Sequence, residues 1–192
     1  MNNQTKDKWN LRYNACLDNF PEAVEVISQN QHLLPDQGTA LDLACGRGAI
    51  ALCLAENGLE TTAWDISSSA LEQLSLQASE RNLSIHTVTK DISEQPPEKN
   101  TFDVIVVSRF LDRNLMVHIK NSIRPGGLIF YQTYTKDKVN ESGPKNPDFL
   151  LNENELLKTF SDWRIIVYRE ESTIGKIDKG FRNQAMLIAQ KP

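Results

Sequence analysis

The stretch Leu41-Asp42-Leu43-Ala44-Cys45-Gly46-Arg47-Gly48 decides the fold. Thr39 to Ala44 has the composition of a short apolar strand and runs directly into a turn of small residues. Ala49 to Asn57 then follows as an apolar helix, with Gly58 placed where a left-handed cap costs least. Strand, glycine turn and helix in that order begin an open α/β sheet, which binds ligands beyond the carboxyl ends of its strands, where the strand order reverses. A ligand that touches backbone there needs small side chains at Ala44, Gly46 and Gly48. The turn alone is a weak signal, because Gly46-Arg47-Gly48-Ala49-Ile50-Ala51 also fits the dinucleotide pattern G-x-G-x-x-A.

Asp42 separates the two possibilities. It lies late in an apolar strand, four residues ahead of Gly46, where a buried carboxylate is costly unless paired. A carboxylate beside the turn repels a pyrophosphate and attracts a cationic amino-acid moiety. S-adenosylmethionine (SAM) carries an ammonium and a sulfonium and no phosphate. Asp65 ends the next strand, Thr61 to Asp65, and a carboxylate in that place can accept from both hydroxyls of a ribose. Asp91 ends the third strand, Ile85 to Lys90, where it can accept from an adenine amino group while Ile66 and Ile92 offer apolar faces to the ring. Each acid alone could be a helix cap or a solvated turn residue. Three acids closing three successive strands point to one ligand site.

The alternation continues outward from this core. Ser67-Ser68-Ser69 supplies an N-cap for a helix with Ala70, Leu71, Leu74 and Ala78 on one face. Phe102 to Ser108 contains Val104-Ile105-Val106-Val107, the composition of a strand buried on both faces. Leu115, Ile119 and Ile123 mark a helix that stops at Pro125-Gly126-Gly127, the turn into a strand from Leu128 to Thr133. Beyond a polar loop, Lys136 to Asp148, a helix is expected over 152–160, then strands Trp163 to Arg169 and Gln184 to Ala189. No helix separates these last two strands, which predicts an antiparallel pair. Upstream, Leu11 to Leu34 has a helical pattern broken around Pro21.

These motifs resemble those of the class I SAM-dependent methyltransferases, and within them the tellurite-resistance B-like and thiopurine-methyltransferase-like group. The resemblance covers roughly 9–132 well and the rest loosely. Asp42 to Gly48 is similar to the family's first motif, which usually has glycine where Ala44 stands. Trp64-Asp65-Ile66-Ser67 resembles the ribose motif, and Asp91-Ile92 the adenine motif. Ser108-Arg109-Phe110, at the exit of the fourth strand, falls where the family lines its methyl-transfer pocket. Trp9-Asn10-Leu11-Arg12-Tyr13 resembles the group's Trp-x-x-Arg-Tyr segment that folds over the cofactor. Physically, the Trp9 indole can face a cation and the Arg12 guanidinium can pair with a methionine carboxylate. An amphipathic helix docking its aromatics on the core would account for the same residues. The resemblance implies a Rossmann-like, doubly wound seven-stranded sheet of order 3-2-1-4-5-7-6 with strand 7 antiparallel. It implies S-adenosyl-L-methionine as cofactor and S-adenosyl-L-homocysteine (SAH) as product. The expected organisation is one domain over 1–192: a helical cap over 1–34, a cofactor-binding core over 39–134, and a lid loop, helix and strand pair over 135–192.

Bulk composition agrees. The 192 residues carry a net charge of −4, with Lys and Arg scattered, which disfavours a phosphate-gripping nucleic-acid binder. Cys16, Cys45 and Cys53 lack the spacing of a disulfide framework or zinc site, so no metal is expected, and a reducing, cytoplasmic setting follows. The polar N-terminus and the lack of a long apolar run predict neither signal peptide nor membrane span. The expected partner is a small-molecule acceptor, a thiol or a metalloid oxyanion, and the chain is expected as a monomer or homodimer. Rim candidates are Arg109, Phe110, Asp112, Arg113, Tyr131, Gln132 and Tyr134. No catalytic base is assigned, and His118 is expected to face solvent. The competing functions are a non-catalytic SAM-binding module and an NAD(P)-dependent oxidoreductase.

Overall fold

The computed structural model describes residues 3–15 and 20–192. Residues 16–19, Cys16 among them, lie outside the described residues. Seven strands form one sheet of order β3-β2-β1-β4-β5-β7-β6. They are β1 Thr39–Leu43, β2 Glu60–Asp65, β3 Ile85–Thr89, β4 Phe102–Ser108, β5 Ile123–Tyr134, β6 Arg164–Glu170 and β7 Gln184–Gln190. Strands β1 to β5 are mutually parallel, and β7 runs antiparallel between β5 and β6. This is the expected order and polarity. Because β1 pairs with β2 on one side and β4 on the other, the order reverses at the carboxyl ends of β1 and β4.

Strand alternation decides which side chains meet. Leu41 and Leu43 of β1, Ile105 and Val107 of β4, and Ile129 and Tyr131 of β5 share one core with Ile119 and Met116 of α5 Met116–Ser122 and Leu156 of α6 Glu155–Thr159. Ala40, Val104, Val106, Phe130 and Ile188 face the other way, onto Ile27 of α2 Glu25–Ser28 and Ile50, Cys53 and Leu54 of α3 Ala49–Glu56. Helix α4 Ser68–Glu80 is capped by the Ser67 hydroxyl, which accepts from the Ala70 N–H at 3.2 Å. By the same alternation Asp42 and Asp65 point to the α3/α4 side, with Ala40 and Ala63.

Three expectations change. The helical pattern over 11–34 resolves into α1 Asn3–Asn14, the single-turn α2, and a 3₁₀ turn at Gln31–Leu33. Val24, Val26 and Ile27 of this segment are buried against the sheet, with Leu33 and Leu34 packed beside them. Ile123, counted as a helix-face residue, is extended and pairs with Phe102, so β5 begins before the Pro-Gly-Gly turn. The helix expected over 152–160 is the shorter α6.

Candidate functional site

The turn after β1 is held from two strands at once. Gly46 (φ +53°) and Gly48 (φ +77°) both take left-handed backbone, and a Cβ at Gly48 would sit 2.4 Å from a Leu74 methyl. Ala44 also adopts φ +57°, a conformation that costs a non-glycine residue about 1 kcal/mol, which explains the family's usual glycine there. Gly48 has no side chain with which to cap α3, and Asp42 does so from the neighbouring strand. Its Oδ2 accepts the Ala51 N–H at 3.0 Å. Its Oδ1 is buried with no hydrogen-bond partner, and the residue is fully buried.

Asp65 stands beside it. Its Oδ2 accepts from the Gly46 N–H at 2.7 Å and its Oδ1 from the Ser67 N–H at 2.8 Å. One carboxylate thus fixes the turn after β1 to the turn after β2, and each oxygen retains a second lone-pair direction. Burial pushes the Asp42 carboxyl up to about 8, opposed by the Ala51 N–H and reinforced by the charge of Asp65. Burial also raises Asp65, against the lowering effect of its backbone N–H donors. Two acids share a buried corner, one with an unsatisfied oxygen.

Helix α1 lies over this corner. An ideal Cβ on Gly46 would come within 2.6 Å of the Tyr13 hydroxyl, so α1 packs directly on the glycine turn. Burial pushes the Tyr13 phenol well above its ordinary value, with the negative Asp65 adding to the effect. Asn10 Oδ1 accepts from the Ser67 hydroxyl at 2.7 Å, and Tyr13 O accepts from Gln73 Nε2 at 3.1 Å. Trp9 stacks on Tyr13 at 5.8 Å between centroids, and the exposed Arg12 lies over the Trp9 ring at 5.1 Å. Of the Trp9–Tyr13 segment, the expected site set named Trp9 and Arg12 individually, and the structure adds Tyr13 and Asn10. Their signal was available: i, i+4 spacing places Trp9 and Tyr13 on one helix face.

Farther along the sheet the structure divides the other candidates. Asp91 Oδ1 accepts from the Ser93 N–H at 3.1 Å and its hydroxyl at 2.6 Å, shaping the turn after β3. Ile92 is buried, and Ile66 is half-buried beside Asp65. Ser108 ends β4 one step beyond the Leu43–Val107 pair, next to Ala44. Arg109 is exposed with φ +51°, and its N–H donates to Gln132 O at 2.8 Å. Phe110 is half-buried, and its carbonyl accepts from the Tyr131 hydroxyl at 3.0 Å.

Tyr131 and Gln132 are not on a rim; both are fully buried. Gln132 is a tie: its Oε1 accepts the Val26 N–H at 2.7 Å, and its Nε2 donates to Glu25 Oε2 at 2.7 Å and Gln184 Oε1 at 3.0 Å. Strand β5 is interior and covered on both faces: Gln132 meets α2, and Tyr131 packs into the core with α5 and α6. Arg113 clamps Glu155 and the carbonyls of Asp148 and Leu150, and Asp112 Oδ1 caps the turn at Asn114. The loop from 136 is pinned by Asn183, which bonds the Val139 N–H, Asn140 and Ser142. His118 is exposed. Among the described residues no cluster of His, Cys, Asp and Glu could hold a metal, and no helix is long and apolar enough to cross a membrane.

A family model described as tellurite resistance protein TehB matches residues 1–187. The chain belongs to the TehB family. The crystal structure of TehB from Haemophilus influenzae superposes with a TM-score of 0.72 at 23% identity, covering 96% of this chain and 67% of that one. A coclaurine N-methyltransferase bound to N-methylheliamine and SAH gives a TM-score of 0.59 at 20% identity, over 75% of this chain and 47% of that one. Among curated relatives, a ubiquinone biosynthesis O-methyltransferase of Rickettsia akari is 29% identical over 114 residues, 57% of this chain and 44% of its own length. A methyltransferase named YqeM from Bacillus subtilis is 28% identical over 58% of this chain and 48% of its length. The chain thus spans less than half the length of these curated relatives. The structural neighbours of this TehB-family chain include a SAM-dependent methyltransferase from Methanosarcina mazei, with a TM-score of 0.66 at 19% identity over 89% of this chain and 99% of that one.

Proposed function

We propose that this chain is a SAM-dependent methyltransferase acting on a small-molecule acceptor, a thiol or a metalloid oxyanion. The observation that carries this is the buried acid pair Asp42 and Asp65 at the switch point, with Asp42 Oδ1 unpartnered. A buried carboxylate oxygen without a donor suits a cationic group. The residues therefore fit a ligand with an ammonium and a ribose.

In that assignment Asp42 stands toward the ammonium and orders the turn through Ala51. Asp65 accepts ribose hydroxyls on its remaining lone pairs, and Asp91, Ile66 and Ile92 take the adenine. Ala44, Gly46 and Gly48 give access to backbone, Trp9 and Arg12 close the methionine end from α1, and Ser108 and Phe110 line the acceptor side. When bound, SAM supplies an electrophilic methyl on a sulfonium, and the protein contributes orientation and exclusion of water. A thiolate acceptor needs no general base, which agrees with the exposed position of His118.

The test is calorimetric titration with SAM and SAH, with NADH as control. Micromolar binding of the first two, and none of NADH, is expected. Binding of NADH alone refutes the assignment.

A further inference from the structure

Strand alternation would send Arg109 to the α5 side of the sheet, since Val104, Val106 and Ser108 share the opposite side. Its left-handed backbone turns it across instead. Arg109 lines a cleft of about 480 Å³ beside α2, with Glu22, Glu25 and Ser28 as its other polar residues and Pro21 and Val24 in its walls. This cleft adjoins the carboxyl end of β4, on the acceptor side of the proposed methyl-transfer site.

Two features mark the cleft as more than a surface dent. The first is conformational. If the chain needed only a turn here, Gly or Asn would adopt φ +51° at lower cost, so an arginine held in that conformation has a use for its side chain. The second is electrostatic. Among the described residues no ion pair or side-chain hydrogen bond engages the Arg109 guanidinium, although Glu22 and Glu25 line the same cleft. Glu25 is committed on one oxygen to Gln132 Nε2. Positive and negative charge are thus held apart within one small space. A purely anionic acceptor meets the two glutamates, and a purely cationic one meets Arg109. A molecule carrying both charges meets complementary groups at each end.

We propose that this cleft binds a zwitterionic, amino-acid-like acceptor, with Arg109 taking its anionic group and Glu22 and Glu25 its ammonium. This rests on the methyltransferase assignment and narrows the acceptor within it.

The test uses the full chain saturated with SAH and three matched thiols: cysteine, 3-mercaptopropionate, which lacks the amine, and cysteamine, which lacks the carboxylate. Binding is read by ligand-observed NMR. Cysteine is expected to bind about tenfold more tightly than either partial analogue. Arg109→Gln should weaken cysteine and 3-mercaptopropionate roughly tenfold and leave cysteamine unchanged. Glu22→Gln should weaken cysteine and cysteamine only. Arg109→Gly should lose the same affinity as Arg109→Gln while its melting temperature stays level or rises, because the strain is relieved. Equal binding of the three thiols, no binding of any, an equal loss for all three in Arg109→Gln, or a fall in the melting temperature of Arg109→Gly overturns the proposal. SAH binding is measured first by calorimetry; its failure refutes the methyltransferase assignment itself, and this proposal with it.

Discussion

Replacing Asp42 with Asn should make the ligand-free protein more stable as the pH rises, while weakening its hold on SAM. The carboxyl is fully buried, and its pKa in the folded chain is pushed from 3.8 up to about 8. The sign follows from proton linkage. Below the unfolded value both states are protonated and nothing is lost. Between 3.8 and about 8 the unfolded chain releases a proton that the folded chain keeps, so stability falls as pH rises. Above that window both states are ionised and the loss is complete. The slope is one proton per molecule, so the gap between variant and parent should widen by about 3 kcal/mol from pH 5 to 7.

Asn keeps an oxygen for the Ala51 N–H and removes the titration. Any cost of burying its amide is a constant offset, whereas the slope is the readout. For a chain of this size the widening corresponds to roughly 5–10 °C in melting temperature. Thermal melts of both proteins at half-unit steps from pH 5 to 9 measure it. Parallel curves across that range would refute the reasoning, because they would mean that Asp42 is ionised in the folded state and compensated by something other than Ala51.

Ala44→Gly should raise stability by about 0.5–1 kcal/mol, since glycine adopts φ +57° without strain; a chemical melt that shows a decrease contradicts this. Asp65→Ala should weaken SAM binding more than tenfold by calorimetry, through loss of both the ribose acceptor and the Gly46 and Ser67 anchors; unchanged affinity in a folded variant would displace the ribose from this corner. Gly48→Ala should cost about 2 kcal/mol or more in denaturant unfolding, because its Cβ meets Leu74 at 2.4 Å in a left-handed backbone. Gln132→Ala should cost about 1–3 kcal/mol, leaving the Val26 N–H without its acceptor, and a neutral effect would mean that α2 is held by apolar contact alone.

The sheet was legible because each buried strand announces itself: Val104-Ile105-Val106-Val107 has no polar residue to suggest a surface, and the Ser67 cap and the Gly46–Gly48 turn carry their own backbone chemistry. The acids at 42 and 65 were legible for a related reason, since a charge in an apolar run must have a partner. The fate of residues 131–134 was not. Tyr131 and Gln132 sit at a strand end that sequence alone treats as open; Tyr131 is buried in the core with α5 and α6, and Gln132 is covered by α2, an element of four residues. A single turn has too little periodicity to be found. Asp42 as the cap of α3 was equally hidden, because capping is expected from a residue next to the helix and here it comes across the turn from the preceding strand.

The Gln132 amide uses both of its N–H bonds and its carbonyl, joining α2 to β5 and β7 through Val26, Glu25 and Gln184. A rotation of this one side chain releases all three at once. Such a rotation frees the wall of the Arg109 cleft, and the Val26 amide should exchange its hydrogen from that released form. Acceptors would then be sorted by a fixed shape, and a change of shape can begin at Gln184, on a strand that no acceptor touches.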